Sequence, residues 1–146
     1  MTEIEKYQHW KILSDYDIET ARILLEKQRY NYVAVLCEQA VERMIKGMFI
    51  YHTRKEPPKS HNVPFLANKL AIHEKFSSTE EGIRFEKERF DYENIMVDLM
   101  FYYISDYPFS YKKFQERFIS ETVARELYEK TLHLLGWLES FQKVEE

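Results

Sequence analysis

Apolar residues return at three- and four-residue intervals along most of the chain, and no segment sustains the one-for-one alternation of a strand. Trp10, Leu13, Ala21 and Leu24, widened by Ile18 and Leu25, predict a first helix from Thr2 or Glu3 to Gln28. Thr2 and Glu5 have the spacing at which each side chain bonds the other's backbone N–H, so they should open it. Asp17 falls inside the apolar stripe. It either bonds a neighbouring helix or faces a polar interhelical site, and the first is the expectation.

After a polar break at Arg29-Tyr30-Asn31, a second helix is predicted from about Tyr32 to His52. Val33, Cys37, Ala40, Met44 and Met48 form one row, thickened by Leu36, Val41, Ile45 and Phe49. A face this wide belongs to a helix with neighbours on several sides. Gly47 in its interior costs about 1 kcal/mol relative to Ala, and close approach of another backbone would explain it.

Pro57 and Pro58 cannot continue a helix, whereas Pro64 suits the first turn of a short third one reaching His73. Ser60 or Asn62 could cap it, and Phe65, Leu66, Leu70 and Ile72 are its apolar residues. A fourth helix is predicted from about Thr79 to Ile104, opened by Ser78 with Glu81 or, in a competing register, by Ser77 with Glu80. Ile83, Phe90, Val97 and Ile104 repeat along it every seven residues, beside Met96, Leu99, Met100 and Tyr103. The stretch from Ser105 to Phe118 reads as irregular and aromatic, a core or interface element before a base-stacking one. Ser120, followed by Glu121, caps a fifth helix running to about Lys143, with Val123, Leu127, Leu134, Leu138 and Phe141 on one face.

These elements predict one all-α domain over residues 1–146, an antiparallel four- to five-helix up-and-down bundle. Only 3 glycines and 4 prolines are present, too few for the tight turns of an all-β chain. A net charge of −4 argues against a general nucleic-acid coat. No apolar run approaches the ~20 residues of a membrane span, and MTEIEKYQHW lacks the pattern of a signal peptide. Cys37 stands alone on an apolar face, which excludes an internal disulfide and reads as a small core residue. A cytoplasmic protein without membrane contact is the expectation.

The second helix carries a compact polar face of Glu38, Gln39, Glu42, Arg43 and Lys46. Glu42 and Lys46 have the favoured orientation for an i,i+4 ion pair. A solvated face or interhelical ion pairs are the leading reading, with phosphate contact by Arg43 and Lys46 as the alternative. Arg54 and His61 satisfy an Arg-x(6)-His spacing, but in a proline-rich loop a solvated arginine and a structural or ligand-contacting histidine are expected. The five histidines show no metal-ligand spacing, and no phosphate loop, dinucleotide fingerprint or nucleophile elbow is present. No metal, no cofactor and no catalytic residue is therefore assigned.

The chain resembles the HEPN family, the higher-eukaryote and prokaryote nucleotide-binding domain. The residues that carry the resemblance are Asp17-Ile18, Ala21, Leu24-Leu25, Tyr30, Glu38-Gln39-Ala40, Glu42, Lys46-Gly47, Ser60-His61-Asn62-Val63, Tyr102-Tyr103 and Tyr107-Pro108. The resemblance implies a four- or five-helix bundle that commonly forms homodimers. Many family members partner a small nucleotidyltransferase, often as a toxin–antitoxin pair, and others are metal-independent ribonucleases with an Arg-x(4–6)-His motif. This chain has Asp106 where the family often has Arg, and Tyr111 where a nuclease would carry His. The first change reverses the charge offered to phosphate, and the second removes a group that titrates near neutrality. The expected function is thus a non-catalytic module that engages a nucleotide or a nucleotidyltransferase partner near Arg43, Lys46, His61, Asp106 and Tyr107. The alternatives are a ribonuclease toxin acting on RNA, with Arg54 and His61 as its pair, and a structural dimerisation module.

Overall fold

Thr2 opens the first helix as its spacing predicts. In the computed structural model, which describes residues 1–105 and 119–143, its side chain accepts from the Glu5 N–H at 3.1 Å and Glu5 accepts from the Thr2 N–H at 3.0 Å. The helices in chain order are α1 (Glu3–Glu26), α2 (Tyr30–Thr53), α3 (Val63–Ile72), α4 (Glu74–Ser77), α5 (Glu80–Glu88), α6 (Glu93–Ser105) and α7 (Glu121–Glu139), with a 3-10 turn over Arg89–Tyr92 between α5 and α6. Among the described residues there is no strand. Asn62 caps α3 by accepting from the Phe65 N–H, and Ser120 caps α7 by accepting from the Val123 N–H.

α2 is the axis of the bundle. It packs against α1, α3, α4, α6 and α7, which accounts for its wide apolar face. Val33, Cys37, Ala40, Val41, Ile45 and Met48 have no exposed surface. Each fully buried Val, Ile or Met contributes about 1.5–3 kcal/mol of transfer free energy. Gly47 sits where α1 passes close by: a Cβ there would lie 2.9 Å from Trp10 Cβ, 3.2 Å from Tyr7 Cδ1 and 3.4 Å from the Tyr7 carbonyl oxygen.

The predicted fourth helix is not continuous. It is broken by the 3-10 turn at Arg89–Tyr92, where Tyr92 stacks on Trp137 of α7 at 4.4 Å and Trp137 Nε1 donates to Glu88 Oε1 at 2.9 Å. Its opening is also corrected. Neither Ser78 nor Ser77 is the cap, because Thr79 accepts from the Gly82 N–H and α4 occupies the residues before it. The seven-residue row faces outward: Ile83, Phe90 and Val97 are exposed, whereas Phe85, Ile95, Met96 and Leu99 enter the core. Phe65, Ile72 and Val123 are likewise exposed, and α3 is held by Leu66, Ala67, Leu70 and Ala71 instead. The aromatic stretch predicted after Ser105 lies outside the described residues up to position 118.

No described helix is long and apolar enough to cross a membrane. Cys37 is a core residue, and burial pushes its thiol up to about 12.

Candidate functional site

The polar face of α2 is covered. Glu38 has no exposed surface, and Glu42 and Lys46 are buried. The solvated-face expectation is therefore wrong for these three, and the ion-pair expectation holds for Glu42 and Lys46 but not for Glu38, neither of whose oxygens has a hydrogen-bond partner. Lys46 Nζ donates to Glu42 Oε2 at 2.9 Å, one turn back along the helix. Burial strengthens the attraction between the two charges but also costs each its hydration, so the pair matters chiefly because removing either partner would leave an uncompensated buried charge. Lys46 Nζ also lies 5.9 Å from the centre of the Trp10 ring on α1.

α1 contributes the second cover. Asp17 is buried, and its Oδ2 forms an ion pair with Arg43 Nη1 of α2 at 2.9 Å. Burial raises the Asp17 carboxyl above its ordinary range, and Arg43 pulls in the opposite direction. Asp17 thus does what was expected of it in bonding a neighbouring helix. It also adds to the electrostatic field at Glu38, so it belongs to the same polar centre. One turn below it on the same helix, Ser14 donates to the Ala40 carbonyl oxygen at 2.7 Å.

The loop between α2 and α3 supplies the rim. His61 Nδ1 lies 3.1 Å from Glu42 Oε1 and 3.2 Å from Oε2. Its ring packs on Tyr103 of α6, with centroids 5.2 Å apart and planes tilted by 33°. The His61 side chain is 58% exposed, against 9% for Glu42. A fixed, half-open imidazole–phenol pair therefore borders a closed ionic centre.

Of the five residues predicted to bind a ligand, the structure brings Lys46 and His61 together through Glu42. Arg43 turns towards Asp17 on α1. Asp106 and Tyr107 lie outside the described residues, as does Tyr111. Arg54 and His61 are not joined. Arg54 ends α2 in the left-handed conformation, with φ 61°, and faces Glu3 at 3.6 Å. Glu38, Glu42 and Asp17 were not assigned to the site from the sequence. The available signal was Asp17, a carboxylate at a core-facing position, which calls for a polar partner across the helix interface. Among the described residues no group of three His, Cys, Asp or Glu side chains could hold a metal ion.

A family model described as HEPN domain matches residues 7–141. No curated protein and no solved structure matches the chain.

Proposed function

The chain belongs to the HEPN domain family, and we propose that it is a non-catalytic binding module, engaging a nucleotide or a small nucleotidyltransferase partner at the rim where His61 and Tyr103 meet α2. The observation that carries this reading is the His61–Tyr103 pair, held on the inner side by Glu42 and half-open on the outer side. A nucleobase can stack on such rings, at about 1–3 kcal/mol per base. Arg43 faces Asp17 on α1, with a partly exposed guanidinium whose remaining N–H groups suit a phosphate oxygen. Arg54 and His61 have separate partners, which supports binding over RNA cleavage by that pair.

The module works as a homodimer in this reading. Ile83 on α5, Phe90 in the 3-10 turn and Val97 on α6 are all exposed, large apolar side chains of the kind a second copy would cover. A two-fold through Phe90 would bury this side chain against its own copy. A groove of about 410 Å³, lined in part by Pro64, Ala67, Asn68 and Met96, opens beside Phe90 to receive a facing side chain.

Calorimetry with a nucleotide panel tests the nucleotide form of the proposal. The expected result is saturable heat with at least one nucleotide and roughly tenfold weaker binding by His61→Ala, the scale of one lost stacking contact. Absence of heat with every nucleotide eliminates direct nucleotide binding and leaves only the protein-partner form.

A further inference from the structure

His61 has a property that stacking alone does not use. Both Glu42 oxygens lie within hydrogen-bond distance of its Nδ1, and Glu42 also accepts from Lys46 Nζ. A carboxylate that accepts from an ammonium group and from an imidazole fixes the imidazole hydrogen on the nitrogen facing it. The hydrogen therefore sits on Nδ1, and Nε2 carries the lone pair of the neutral ring. Glu42 stands on the buried side of α2 while the His61 side chain is 58% exposed, so the inner edge of the ring is tied down and the outer edge is left to solvent. Tyr103 packs on one ring face and limits its rotation.

Orientation, tautomer and access are the three conditions that make an imidazole nitrogen a good nucleophile. We infer that His61 Nε2 is a phosphoryl-acceptor site, with Glu42 as its positioning residue. The Nε2 lone pair attacks the phosphorus of a phosphoryl donor, and a P–N bond forms as the bond from phosphorus to the leaving group breaks. The leaving group departs with that electron pair; with phosphoramidate as donor it leaves as ammonia. Nδ1 keeps its hydrogen, and the positive charge that develops on the ring is held against Glu42.

The other four histidines lack this arrangement. His52 is bonded to Gln142 and packed against Phe76, and His73 Nδ1 accepts from the Lys75 N–H. His9 and His133 are exposed, and among the described residues no carboxylate bonds either ring. They are internal controls for an unassisted surface imidazole. The inference does not depend on nucleotide binding: a chain that gives no heat with nucleotides can still accept a phosphoryl group, and the reverse also holds.

The test is incubation of the full chain with potassium phosphoramidate, followed by peptide mass mapping under alkaline conditions that preserve phosphohistidine. The His61 peptide should gain one acid-labile phosphoryl group about tenfold faster than the His9 and His133 peptides, the worth of one charged hydrogen bond. His61→Gln should remove the label from that peptide, and Glu42→Gln should slow His61 to the rate of His9 while leaving His9 unchanged. Equal labelling of the three histidines in the wild type overturns the inference, as does a folded Glu42→Gln chain that labels His61 at the wild-type rate. If circular dichroism shows that Glu42→Gln is unfolded, the wild-type rate ratio together with the exposed His61→Gln variant decides the matter.

Discussion

Glu38 and Glu42 lie one turn apart on the buried side of α2, and only Glu42 has a cation. Lys46 donates to Glu42 at 2.9 Å, whereas neither oxygen of Glu38 has a hydrogen-bond partner. Burial, and secondly the charge of Glu42, push the Glu38 carboxyl up to about 9. Near neutral pH Glu38 therefore holds its proton, since the alternative is a second buried anion beside the first.

This relationship sets a pH dependence of stability. As pH rises above the ordinary carboxyl value of 4.5, the unfolded chain releases the Glu38 proton and the folded chain keeps it. Below that value Glu38 contributes its full stability, and the contribution is lost as pH rises towards about 9, at roughly 1.4 kcal/mol per pH unit. Glu38→Gln keeps the shape and removes the titration. Urea unfolding should find the variant more stable than wild type at about pH 8, by several kcal/mol, with the gap nearly closed at about pH 5. Parallel pH profiles for the two chains would show that Glu38 is ionised in the fold.

Two glycines in helix interiors should respond in opposite directions to the same substitution. An added methyl gains about 1 kcal/mol from helix propensity alone. At Gly136 nothing lies within 4 Å of the new Cβ, so Gly136→Ala should gain most of that and raise Tm by about 2–4 °C. At Gly47 the new Cβ meets Trp10 Cβ at 2.9 Å, next to the backbone of α1, which cannot swing away. Overpacking of this kind costs about 1–3 kcal/mol, so Gly47→Ala should lower Tm. A gain at both positions would mean that α1 and α2 are less closely packed than described.

The sequence was most legible where local chemistry decides. Thr2 with Glu5, Asn62 and Ser120 bond their own helix N-termini, so these starts could be read from spacing alone. The same holds for the α2 core row and for the close approach at Gly47. The break at Arg89–Tyr92 contains neither Gly nor Pro. It follows from Tyr92 and Glu88 both engaging Trp137, residues almost fifty positions away that no local pattern connects. The segment from Gly82 to Leu99 carries apolar residues on two sides, and periodicity cannot tell which side is inside; the regular row of Ile83, Phe90 and Val97 is the outer one. In the site, the Glu42–Lys46 pair was legible from its spacing. Its burial was not, because the cover comes from Asp17 on α1 and His61 in a loop, whose reach depends on tertiary placement.

Cys37 offers a direct probe of core opening. It has no exposed surface, and its thiol is pushed up to about 12 by burial, so the reactive thiolate is scarce and inaccessible at ordinary pH. A thiol reagent such as DTNB at about pH 8 should give no reaction in buffer and one equivalent per chain on unfolding in urea. Rapid reaction of the native chain would place Cys37 at the surface of α2 and contradict the row it shares with Val33, Ala40 and Met44.

The outer row should decide the oligomeric state. Phe90 is 77% exposed, so a polar residue there leaves the interior of one chain untouched and its melting temperature close to that of an isolated wild-type chain. In a two-fold assembly centred on Phe90, the same change acts twice. Each Phe loses a burial worth about 1.5–3 kcal/mol, and each introduced carboxylate faces its symmetry mate, so Phe90→Asp should weaken association by at least a hundredfold. Light scattering at micromolar concentration should find twice the chain mass of 17.9 kDa for the wild type and a single chain for Phe90→Asp. A wild-type monomer, or a Phe90→Asp chain of unchanged mass, removes this face as the meeting point of two copies.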